Sequence, residues 1–165
     1  MTDTSNVTPD LTPQEWKQVR RAPHLAALVM CLAHPTSISI AREAMAMPGI
    51  LRKLLEEHAD NPFVCATLQG AGDAPRVTNW DPNATEAQAK EMLLELRKVA
   101  ELVDRKTPAT DYRTNNEARV FKEVLLRIAI DVAGVSGEGF LGTGPRVSDR
   151  EKQMLDRLRQ VLGLK

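Results

Sequence analysis

The sequence predicts an all-α protein: a compact, single-domain bundle of six to eight helices. Three observations carry this. Residues that cap helices recur just ahead of apolar runs, the apolar residues return every three or four positions, and no segment alternates with period two for long enough to make a strand. At 165 residues the chain can bury a hydrophobic core of ordinary size. Residues 1–11 read as a flexible N-terminal tail and residues 12–165 as one helical domain.

The first helix opens at Thr12-Pro13-Gln14-Glu15, where a hydroxyl stands at the N-cap, proline at the first helical position and glutamate three residues after the cap. Pro23 is expected to end this helix and start a second one that stops near Ala33, because an interior proline lacks the amide donor and crowds the preceding turn. HPTS, from His34, is the turn that follows. SISIAREAMAM is then a short helix, Met47-Pro48-Gly49 a break, and ILRKLLEEHAD a further helix. Asn61-Pro62 starts a small helix around FVCATL. GAGDAPRVTNWDPN, residues 70–83, is a long loop without sustained periodicity.

Thr85-Glu86-Ala87-Gln88 reads as a second capping box, opening a helix to about Lys106 with Met92, Leu96, Val99 and Val103 on one stripe. The next stripe is the clearest in the chain: Ala118, Phe121, Leu125, Ile128, Val132 and Val135 alternate spacings of three and four. Ser148-Asp149-Arg150-Glu151 is a third capping box, followed by Met154, Leu155, Leu158, Val161 and Leu162 before Gly163. The helices from Thr85 to Leu162 are expected to form a bundle against an N-terminal hairpin.

Between these last two helices lies SGEGFLGTGPRVSDREK, which holds four of the chain's nine glycines. A dinucleotide-binding GxGxxG run must follow a strand and open a helix, whereas a helix precedes this one. The next helix begins six residues past the third glycine, and its first turn carries Asp149 and Glu151, which repel phosphate. The preferred reading is a structural joint in which the glycines permit the turn and Phe140 and Leu141 anchor it. A ligand-binding loop over residues 136–147, with Glu138, Gly139 and Gly142 as its candidate contacts, is the alternative.

Charge and composition exclude some partners. The 22 basic residues balance the 22 acidic ones, so no net field attracts nucleic acid or an anionic membrane. Aromatic residues at 4% leave little for base stacking. Cys31 and Cys65 sit singly in apolar surroundings and read as buried, reduced thiols. The polar opening MTDTSNVTPD is no secretory signal, which points to the cytoplasm, and the apolar run Leu25 to Ala33 is too short to span a bilayer. Glu57 and His58 lack further zinc ligands at useful spacing, and no Ser-His-Asp or Cys-His set assembles. Trp80, in RVTNWDPN, reads as a plug of the core, with an anchor for a protein partner as the alternative.

The run IAIDVAGVSGEGFLGTGPRVSDREKQMLDRLRQVLGL resembles the second half of a helical repeat in the tellurite-resistance TerB-like proteins, in which a helix, an acidic Asp-Gly-Glu turn and a capped amphipathic helix follow one another. EWK near the N-terminus, with FKxxLLxIAxxVA and GFLG further on, is also similar to related bacterial all-helical proteins without an assigned activity. The resemblance implies a divalent-metal contribution from Glu138 and Glu151. Ser136 stands where that motif has aspartate, and FLGTGPR lengthens the turn. The functional expectation is a non-enzymatic cytoplasmic interaction or regulatory module, stress-linked if the resemblance holds. It would have a protein partner and no cofactor; a small-ligand or divalent-metal-binding protein using the glycine-rich loop is the alternative.

Overall fold

A computed structural model describes residues 9–33, 37–71, 81, 83–107, 115–136 and 147–165, with backbone alone at 37–43, 115–116 and 135–136. Every element among them is a helix: α1 (Pro13–Ala33), α2 (Ser37–Glu57), α3 (Pro62–Ala71), α4 (Thr85–Lys106), α5 (Asn115–Ser136) and α6 (Asp149–Val161). None is long and apolar enough to cross a membrane.

Two of the three capping boxes form as their sequences imply. The Thr12 amide donates to Glu15 Oε2 at 2.7 Å while the Glu15 amide donates to Thr12 Oγ1 at 3.2 Å. The bond from the Thr12 amide holds the Glu15 carboxyl below its ordinary range, aided by the nearby Lys106 ammonium. Ser148 and Glu151 make the same reciprocal pair at the start of α6. The Thr85 box does not form: Ala84 occupies the N-cap without a side-chain bond, and Gln88 Oε1 instead accepts from the Asp81 amide at 3.3 Å. Asn61 Oδ1 accepts from the Val64 amide and so caps α3, with Pro62 at its first position.

α6 ends in a Schellman turn: Gly163 adopts φ +68°, and the amides of Gly163 and Leu164 donate to the carbonyls of Gln160 and Arg159.

Both expected proline breaks are corrected by the structure. α1 runs unbroken through Pro23 and α2 through Pro48, so the four predicted N-terminal helices are two. Val19, Ala22, Leu25 and Ala26 are all fully buried around Pro23. Burying a valine or leucine side chain contributes about 1.5–3 kcal/mol, so two such residues offset the roughly 3 kcal/mol an interior proline costs.

The layering also differs from a hairpin laid against a bundle. α1 and α5 pack on each other and each touches all four remaining helices. α2 and α3 pair on one side of this central layer and α4 and α6 on the other, with no contact between the outer layers among the described residues. α1 can occupy the centre because its second half, Leu25 to Ala33, is apolar on nearly every face: only His24 and Leu28 remain half-exposed between Ala22 and Ala33. α5 presents Ala118, Phe121, Leu125, Ile128 and Val132 to the core, as its stripe predicts; the Val135 side chain lies outside the described residues.

Pro9 and Leu11 are buried, so the chain packs before Thr12. The four ion pairs that join different helices among the described residues all end on α4: Glu15–Lys106, Arg21–Glu95, Lys122–Asp104 and Arg157–Glu86.

Candidate functional site

An aromatic ladder joins the central layer to α3. Trp16 of α1, Phe63 of α3 and Phe121 of α5 stack in turn, with ring centroids 5.7 Å and 5.3 Å apart and tilted planes. At its outer end Arg20 lies 5.1 Å above the Trp16 ring. The Arg20 side chain crosses the place where a Cβ on Gly70 would stand, so any larger residue there would make Arg20 shift. One turn further along α1, His24 Nε2 donates to the Ala71 carbonyl at 2.6 Å, a bond that fixes the proton on Nε2. Arg20 and His24 thus close the C-terminal end of α3, where carbonyls lack helical donors.

The most exposed apolar surface of α5 lies elsewhere. Leu126 and Ile130, one turn apart, fall outside its core stripe; Leu126 is half-buried and Ile130 is 39% exposed. With Val124 they floor an open groove of about 290 Å³ where the end of α2 meets α5, edged by Glu57, His58, Glu123 and Arg127. Arg127 Nε donates to Asp131 Oδ1 at 3.0 Å; this bond, with Glu57 as a weaker contributor, raises the guanidinium pKa above its ordinary value. Glu123 accepts from Arg119 at 2.8 Å, and Glu57 lies 3.9 Å from Lys53. A second groove, between α4 and α6, is bordered by Arg97, Glu101, Asp104 and Gln160 and has a more polar wall.

Of the candidate ligand and metal residues singled out in the sequence, Glu151 alone lies among the described residues. Glu151 is 1% exposed, and its carboxylate accepts from the Ser148 amide at 2.7 Å, a capping function. Its metal partner in the resemblance, Glu138, lies outside the described residues, as do Gly139, Gly142, Phe140, Trp80 and His34. No group of three or more histidine, cysteine or acidic side chains fit to hold a metal ion occurs among the described residues. His58 is half-buried at the groove, and its carbonyl accepts from Cys65 Sγ at 3.2 Å. Cys65 is therefore half-buried rather than buried, while Cys31 is buried as expected.

Glu117, in the first turn of α5, was not anticipated. Its Oε2 is buried without a hydrogen-bond partner among the described residues, and burial pushes the carboxyl above its ordinary pKa. The sequence offers no signal for it, since an acidic residue in a first turn is an ordinary helix feature.

Compared with known proteins, the chain matches no family model, no curated protein and no solved structure.

Proposed function

We propose that the chain is a non-enzymatic cytoplasmic interaction module, regulatory in kind, which receives an amphipathic helix of a partner protein in the groove between α2 and α5. The observation that carries this reading is the pair Leu126 and Ile130, apolar and one turn apart on the face of α5 turned away from its core stripe. Such a pair matches the spacing with which a partner helix presents its own apolar residues. A stress-linked role follows the TerB-like resemblance and stands as part of this proposal.

The test compares Ile130→Glu with Leu94→Glu, a change at an exposed leucine of α4 outside the groove. Both variants are expected to keep the wild-type circular dichroism and melting temperature. A host protein retained by the wild type and by Leu94→Glu, and lost with Ile130→Glu, supports the groove. A photo-crosslinker placed at Ile130 should then attach to that same protein. Equal retention by all three chains refutes it.

A further inference from the structure

The outward face of α5 carries a pattern of charge that the bundle itself does not use. Arg119, Glu123, Arg127 and Asp131 stand four residues apart, so they form one row along the helix with alternating sign. Arg119, Glu123 and Arg127 are exposed and Asp131 is half-buried. Within the helix Arg119 pairs with Glu123 at 2.8 Å and Arg127 with Asp131 at 3.0 Å. Among the described residues none of the four makes an ion pair to another helix, whereas every pair that does join two helices ends on α4. Both bonds within the row use the guanidinium Nε. A guanidinium carries five N–H donors and a carboxylate accepts through two oxygens, so side chains paired in this way can bond again across an interface.

Such a row is complementary to its own reverse. From 119 to 131 the signs run plus, minus, plus, minus, and from 131 to 119 they run minus, plus, minus, plus. Two antiparallel copies therefore set Arg119 opposite Asp131 and Glu123 opposite Arg127, each twice about a two-fold axis at the level of Leu125. Parallel copies in the same register would set like charge against like. Helices that cross at about −50° lay their i, i+4 rows alongside one another, and this is the commonest packing class. The same register brings the half-buried Leu126 of the two copies to levels about 3 Å apart along the helix and sets the exposed Ile130 opposite the half-buried Val120.

We propose that α5 is a homodimerisation face, on which a second copy of this chain packs antiparallel through Arg119, Glu123, Arg127 and Asp131 with Leu126 and Ile130 beside them. The charges set orientation and register, and the small apolar area makes the association reversible. A copy seated there covers the groove between α2 and α5 and so excludes a partner helix; that exclusion rests on the reading of the groove given above, whereas the dimer does not.

Sedimentation velocity of the purified full chain tests the dimer, with circular dichroism to check each variant's fold. The wild type is expected to shift from monomer to dimer as its concentration rises, and added salt should weaken the shift. Glu123→Arg and Arg127→Glu each place like charges opposite one another about the axis, and each alone should weaken self-association about tenfold or more. An equimolar mixture of the two variants should dimerise as the wild type does, because both central pairs are again of opposite sign. A chain carrying both substitutions should do the same. Monomer at every concentration, single variants that associate as strongly as wild type, or a mixture and a double variant that stay monomeric would each overturn the interface. No partner protein enters this experiment, so the dimer and the groove reading stand or fall separately.

Discussion

Replacing Phe63 by alanine should remove more stability than any other single truncation in the aromatic ladder. Phe63 is 0% exposed and is the middle ring, 5.7 Å from Trp16 and 5.3 Å from Phe121. Its transfer from water contributes about 1.5–3 kcal/mol, each ring pair adds about 0.5–1.5 kcal/mol, and the cavity left behind adds more. The expected loss is therefore about 4–5 kcal/mol, near the top of the range for phenylalanine truncation. Phe121→Ala breaks one ring pair and should lose about 3–4 kcal/mol.

Urea unfolding followed by far-ultraviolet circular dichroism measures both. With a slope of about 2 kcal/mol per molar urea, Phe63→Ala lowers the midpoint by roughly 2 M. The double variant should show a coupling of about 1 kcal/mol between the two rings. A loss below about 1 kcal/mol for Phe63→Ala, or zero coupling, would show that the rings do not pack as described.

Two further substitutions probe other parts of the structure. Ser148→Ala removes one half of the capping box at α6 and should reduce stability by about 1 kcal/mol in the same denaturation assay; an unchanged midpoint argues against the cap. Glu117→Gln tests the unpartnered carboxylate through pH. A carboxyl whose pKa is raised on folding disfavours the folded state while it is charged, and that penalty disappears as pH falls through the folded pKa towards the unfolded one. The variant should be more stable than wild type near neutrality and equal to it in acid, below the ordinary glutamate range. A difference that persists unchanged into acid excludes the charge as its origin.

The helical class and most of the core were legible in the residues. Phe121, Leu125, Ile128 and Val132 are buried as their spacing requires, and Thr12 and Ser148 cap where their partners Glu15 and Glu151 allow reciprocal bonds. The breaks placed at Pro23 and Pro48 fail because the rule they rest on describes an isolated helix. In α1 the packing on both sides of Pro23 overrides it, and no local reading of RAPHL contains that packing. The Thr85 box fails for a nearer reason: Gln88 finds the Asp81 amide across the preceding turn. The central position of α1 was available in principle, since an apolar run with few polar faces, Leu25 to Ala33, belongs in the middle of a protein. Leu126 and Ile130 were also visible as apolar residues outside the stripe. Glu117 was not, because the burial of its carboxylate arises only when the helices come together.

The central placement of α1 has a consequence for synthesis on the ribosome. α1 leaves the exit tunnel before α5 and α6, yet it packs on both, the latter starting 116 residues after α1 ends at Ala33. At about 5–20 residues per second, its most apolar segment waits roughly 6–23 s before its last partner is made. Contacts this distant in sequence also slow folding once the chain is complete. During that interval the nascent chain displays Leu25 to Ala33 without its cover, and this is the segment that holdase chaperones would be expected to grip first.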